Sequence, residues 1–274
     1  MKRAAGSQPA FAASVPRAYD EFSAPLNFTP FARDVAKRIK GVVASGRVLE
    51  LAAGTGIATR ALRDALPADV AIVATDLSEA MLAVAKEKFA AAERVEWAVV
   101  DATHLPFEDA SFEAIVCQFG MMFFPDKAGA LRECRRALKP DGTLLFNVWD
   151  ALAHNDAWRL AHETIGAHFP QDPPNFYETP FGFHDVARIR TMLLDAGFDA
   201  VSASVVNGDG QSPSAVALAR GLTEGSPVSL QIRERDESAL PRIRDAIARE
   251  LRERYGSGPI SPRTQAIVFT ARAR

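Results

Sequence analysis

The stretch VLELAAGTGIAT, Val48 to Thr59, decides how the rest of the chain is read. A short apolar run ends on an acid, Glu50. A turn carrying Gly54 and Gly56 follows, and then residues that can open a helix. Glycines after a strand let a ligand approach the backbone closely, and a nucleotide-like molecule is the usual beneficiary.

Outward from this stretch, apolar strands alternate with helices, a rhythm that predicts a mostly parallel sheet with helices on both faces. RVLEL is the first strand, and Ile57 to Leu66 is a helix stopped by Pro67. VAIVAT (70–75) is a second strand, after which Ser78 can cap a helix carrying Met81, Leu82, Ala85 and Phe89 at helical spacing. VEWAVV (95–100) and the strongly apolar FEAIVCQF (112–119) are the third and fourth. Asp126 caps a helix ending near Leu138, Lys139–Gly142 reads as a type I turn, and TLLFNVW (143–149) is the fifth strand. Beyond it come a weak helix and a Pro- and aromatic-rich loop within 151–181, a helix over 183–196 and a strand at 200–207. A helical insertion over 212–255 and a final strand at 264–273 complete the pattern. The expectation is one α/β domain, Rossmann-like and seven-stranded, with an antiparallel C-terminal strand and helical cap insertions. Its parts are an N-terminal helical cap (1–41), a cofactor-binding core (42–150), the rest of the sheet (151–207 and 261–274) and a helical insertion over the acceptor site (208–260).

Composition narrows the function. The chain has 274 residues, 48% hydrophobic and 24% charged, with 32 basic against 34 acidic side chains and a net charge of −2. That balance offers no electrostatic footprint for nucleic acid. No run approaches the roughly 20 apolar residues of a membrane span, and the first residues do not form a signal peptide, so a cytoplasmic location is expected. The two cysteines, Cys117 and Cys134, read as core thiols, and no metal-ligand cluster is present.

A dinucleotide fingerprint would need Gly54-x-Gly56-x-x-Gly, but Thr59 holds the third place. Glu50 also argues against a pyrophosphate there, because like charges about 4 Å apart cost on the order of 1–4 kcal/mol. Two further acids, Asp76 and Asp101, close the second and third strands. Ligands of parallel sheets bind at the carboxyl ends of strands, so the three acids can share one crevice. A carboxylate suits ribose hydroxyls and another can accept from an exocyclic amine. The ligand so described is an adenine nucleoside with positive charge at its far end, and S-adenosylmethionine fits.

VLELAAGTG, ATDLSEAML, DATHLPFEDASFEAIVCQFGMMFFPD and LRECRRALKPDGTLLF, in this order and spacing, resemble the class I S-adenosylmethionine-dependent methyltransferases. The small-molecule branch around the ubiquinone/menaquinone C-methyltransferases (the type 11 domain) is the nearest, over roughly residues 42–150. The family's loop usually has glycine where this chain has Ala52. The resemblance implies that Glu50 and the loop of Ala52, Gly54, Thr55 and Gly56 hold the methionyl portion. It implies that Asp76 takes the ribose hydroxyls, Leu77 and Met81 pack on adenine, and Asp101 and Ala102 read the adenine edge. Gln118 and Phe119 would meet the methionine amino group.

Met122 and Phe123 follow the fourth strand, where a transferred methyl should emerge, and with Phe22 and Phe28 they are expected to line an acceptor pocket. Phe176, Tyr177 and Phe181 add apolar content there, suggesting a small, partly hydrophobic acceptor. His154 is the one candidate general base, against a solvated loop histidine. S-adenosylhomocysteine would be the product. Two other functions stay open: a non-catalytic sensor or accessory subunit that keeps the nucleoside site, and an NAD-dependent dehydrogenase. Self-association as a homodimer also stays open.

Overall fold

The computed structural model describes residues 15–273. Seven strands form one sheet: β1 (Arg47–Leu51), β2 (Ala71–Asp76), β3 (Val95–Val99), β4 (Phe112–Gln118), β5 (Leu138–Trp149), β6 (Phe198–Asn207) and β7 (Gln265–Ala273). Their order is β3-β2-β1-β4-β5-β7-β6. Pairings from β3 to β5 are parallel, while β7 runs antiparallel to both of its neighbours. The order reverses direction between β1 and β4, which opens a crevice at the carboxyl ends of those strands.

Period-two alternation sorts the strands into two apolar layers. Val48, Ile72, Val116, Leu145 and Val268 face one side, and there they join Val35 and Ile39 of α3 (Thr29–Lys40) and Leu62 of α4 (Ile57–Ala65). Their neighbours Leu49, Val73, Ile115, Phe146 and Phe269 face the other side. Covering both faces is what a parallel sheet requires, and it explains why these strands read as continuous apolar runs. Cys117 on β4 and Cys134 on α6 (Lys127–Ala137) are free and fully buried, and burial pushes the Cys117 thiol up to about 12.

The N-terminal helices precede the sheet: α1 (Val15–Ala18) runs through a π turn (Tyr19–Ser23) into α2 (Ala24–Asn27). Ser78 accepts the Met81 amide and caps α5 (Glu79–Lys86), and Asp126 accepts that of Gly129 at the start of α6. Between β5 and β7 lie α7 (Asp156–His168), α8 (Glu178–Phe181), α9 (Val186–Asp195), β6, and the inserted α10 (Ala215–Thr223), α11 (Val228–Arg235) and α12 (Ala239–Tyr255). Leu240, Ile243, Ile247 and Leu251 bury the inner face of α12. Among the described residues no helix is long and apolar enough to cross a membrane.

The expected turn at Lys139–Gly142 needs correction. It does not precede β5 but lies within it: Phe112 pairs with Leu138 and Ala114 next with Thr143, so four residues bulge out opposite one. Asp141 takes φ 62° to close the bulge.

Candidate functional site

A cleft of about 1210 Å³, counted to its open mouth, lies at the carboxyl ends of β1, β2 and β4. One end is built from backbone and acids. Ala52 (φ 53°) and Gly54 (φ 56°) both adopt the left-handed conformation, turning the chain sharply after β1. A Cβ added to Gly54 would meet nothing within 4 Å, so the backbone there borders open space. The Ala52 methyl points at Gly120, where a Cβ would come within 2.4 Å of it. Glycine at 120 therefore makes room for the alanine that replaces the usual loop glycine.

Asp76 ends β2 at the cleft wall. One oxygen accepts the Gly54 amide and the other that of Ser78, both at 2.8 Å. Burial raises its pKa and the amides of Ser78, Gly54 and Leu77 oppose that. Asp101, two residues past β3, also lines the cleft. It is exposed, accepts the Thr103 amide and hydroxyl at 2.8 Å, and is held below the usual carboxylate range chiefly by that amide. Each oxygen of a carboxylate has two lone pairs, so both acids keep acceptor capacity.

The other end is aromatic. Phe119 follows β4 with φ 54°, held there by Asn147, whose side chain accepts the Phe119 amide at 2.9 Å. Its ring stacks on Trp149 at 4.0 Å, and Phe28 leans on both. Trp158, Phe176 and Phe181 extend the wall, and Gly225 and Ser226 of the insertion reach its edge. Trp158 Nε1 has no hydrogen-bond partner among the described residues, nor does Gln118 Oε1.

Of the residues singled out in the sequence, Ala52, Gly54, Asp76, Leu77, Met81, Asp101, Ala102, Gln118, Phe119, Phe28, Met122, Phe123, Phe176 and Phe181 all line this cleft. Five do not. Glu50 shares the sheet face of Val48 rather than of Leu49, which places it beside Thr59 in the first turn of α4, only 1% exposed. Burial pushes its pKa up to about 8, Asp76 adds to the rise, and Thr59 partly opposes it. Glu50 is therefore neutral below that pH, and the expected trough of three charges holds two. Thr55 and Gly56 are buried behind the loop, the Thr55 hydroxyl bonded to Asp20 at 2.8 Å. Phe22 turns away under the guanidinium of Arg220, 4.1 Å from its ring centre. His154 pairs with Asp150 at 3.1 Å on the surface, with its side chain 47% exposed, and is thereby removed from the acceptor end.

Tyr19, Gly120, Trp149, Trp158 and Ser226 are among the lining residues that had not been singled out. Tyr19 stacks on Phe28 at 4.5 Å, and burial first, then Asp20 and Asp76, raises its pKa. The one local signal was the aromatic end of the fifth strand at Trp149; the others arrive from distant segments.

Comparison with known proteins agrees with this geometry. Residues 49–146 match the family model described as a methyltransferase domain. A demethylmenaquinone methyltransferase of Clavibacter sepedonicus is 40% identical over 114 residues, 42% of this chain and 45% of that relative. The chain thus matches less than half the length of this curated relative. Among solved structures, phosphoethanolamine N-methyltransferase 2 of Haemonchus contortus, in complex with S-adenosylhomocysteine, superposes with a TM-score of 0.60 at 20% identity, covering 96% of this chain and 57% of that one. The YcgJ protein of Bacillus subtilis does so with a TM-score of 0.57 at 21% identity, covering 89% and 98%. Residues 49–146 thus resemble the methyltransferase domain family, and the chain shares the fold of these solved structures.

Proposed function

We propose that the cleft binds S-adenosylmethionine and that the protein transfers its methyl group to a small, flat, largely apolar acceptor. The observation that carries this reading is that Asp76 and Asp101, from adjacent parallel strands, share one cleft with the Ala52–Gly54 backbone. Asp76 is placed to accept from ribose hydroxyls and Asp101 from the adenine amine, beside the Ala102 amide. Leu77, 47% exposed at the rim, and Met81 offer an apolar surface for the adenine ring. The left-handed loop backbone and the Gln118–Phe119 segment are left for the methionyl end.

When bound, S-adenosylmethionine supplies an electrophilic methyl on a cationic sulfur. The protein's part is to hold the acceptor in line with that methyl and to keep water out. Orientation of this kind is worth about 7–11 kcal/mol in favourable cases. Phe119, Trp149, Trp158 and Phe181 form the walls that would clamp a planar molecule. A quinone-type ring, as named in the curated relative, has the right shape and polarity. That the cleft continues past the acidic end as an open, aromatic-lined space favours an enzyme over a sensor. We place the protein in the cytoplasm and without a nucleic-acid partner.

Isothermal titration with S-adenosylmethionine, S-adenosylhomocysteine and NAD tests the reading. Binding of the two sulfur nucleosides and not of NAD is expected; no sulfur-nucleoside binding at millimolar concentration contradicts it.

A further inference from the structure

Asp20 lies in the π turn and its Oδ1 accepts two hydrogen bonds, one from the Thr55 hydroxyl at 2.8 Å and one from Lys88 Nζ. The same ammonium donates to the Thr55 carbonyl at 2.8 Å. Three segments distant in sequence, the N-terminal strap of residues 15–23, the glycine loop and the turn after α5, are thus joined at one nitrogen. The pair is half-buried, with 28% and 27% of the two side chains exposed, so solvent screens it less than the outlying Arg17–Glu87 pair.

The strap has no slack on its other side. A Cβ on Gly221 of α10 would come within 2.8 Å of the Phe22 carbonyl and the Ser23 hydroxyl. One on Gly225 would lie 3.1 Å from the Tyr19 Cα. The strap is therefore wedged between the insertion and the glycine loop, and Tyr19 on its inner side forms part of the cleft wall. A π turn in this place re-aims one side chain without ending the helix.

We infer that Asp20 and Lys88 form an ionic latch that holds the strap over the donor end of the cleft, making Lys88 a positioning residue for the methyl donor. Lys88 does not line the cleft and acts through Thr55, whose carbonyl it holds, and through Asp20, which carries Tyr19. Exit of the bound nucleoside requires the latch to open. The inference rests on the cleft being the donor's site.

The experiment is stopped-flow release of S-adenosylhomocysteine, followed by tryptophan fluorescence because Trp149 and Trp158 border the cleft. Proteins compared are the wild type, Lys88→Met, Asp20→Asn and the Asp20→Lys/Lys88→Asp exchange. Each single variant is expected to release the nucleoside about tenfold faster. The exchange should return the rate to within about threefold of wild type, and wild-type release should quicken as salt rises from about 50 to about 500 mM. A ligand-free melting temperature shifted without any change in release rate would mark the pair as merely structural and overturn the latch. Binding by the wild type with release rates equal in all variants would also overturn it, while leaving the donor site standing. Failure of the wild type to bind at all would instead refute the reading of the cleft. Should the variants not fold, a salt-independent wild-type release rate decides against the latch.

Discussion

Replacing Glu50 by glutamine keeps the side chain's shape and removes its ability to ionise. Glu50 is 1% exposed, and burial raises its pKa from 4.5 to about 8. The folded protein therefore holds this proton across a pH range in which the unfolded chain has lost it. Stability from this group is fully present below pH 4.5 and is lost as pH rises through about 8. At 1.36 kcal/mol per unit the shift is worth at most about 5 kcal/mol, and local relaxation reduces this to about 2–3 kcal/mol. Glutamine brings an amide into a place where one carboxyl oxygen has no partner, a cost of about 1–3 kcal/mol at every pH. The two effects separate in the slope. Urea unfolding at about pH 5.5 and about pH 8.5 should show wild-type stability falling by about 1–2 kcal/mol more than that of Glu50→Gln, the rest of the effect being lost already below pH 5.5. Equal slopes would refute the reasoning, because Glu50 would then titrate like an exposed carboxyl.

The other predictions follow from the cleft. Asp76→Ala removes an acceptor at the ribose position and should weaken S-adenosylmethionine binding by about 1–3 kcal/mol in calorimetry; wild-type affinity would show that Asp76 does not meet the ligand. Gly120→Ala places a methyl 2.4 Å from that of Ala52 and 2.8 Å from Cys117 Sγ, and should lower stability by about 1–3 kcal/mol in urea melts. Adding Ala52→Gly should recover at least half of that loss, and strict additivity of the two changes would contradict the contact. His154→Ala should leave methyl transfer within about twofold of wild type, since the imidazole sits on the surface beside Asp150; a drop of about 100-fold would restore it as a base.

Most of the sheet is legible in the sequence because each central strand is an apolar run closed by a turn residue, and covering on both faces leaves that run uninterrupted. The same property hides Glu50. In a strand buried on both sides alternation carries no polarity contrast, so position 50 can be placed at a strand end but not on a face. Asp76 and Asp101 are different, because closing a parallel strand puts a residue at the ligand edge whatever its neighbours do. Tyr19, Trp158 and Ser226 could not be found this way, since only tertiary packing brings the strap, α7 and the insertion to one cleft. His154 was close to the fifth strand in sequence, yet Asp150 draws it outward. The Lys139–Gly142 bulge had turn chemistry, and only the pairing register of β4 and β5 shows that the strand continues through it.

A crystal structure grown with S-adenosylhomocysteine tests the central claim most directly. The account predicts the adenosyl group between Leu77 and Met81, with its ribose hydroxyls within hydrogen-bond distance of the Asp76 carboxylate. Well-ordered nucleoside bound elsewhere on the molecule, with Asp76 and Asp101 untouched, would contradict it.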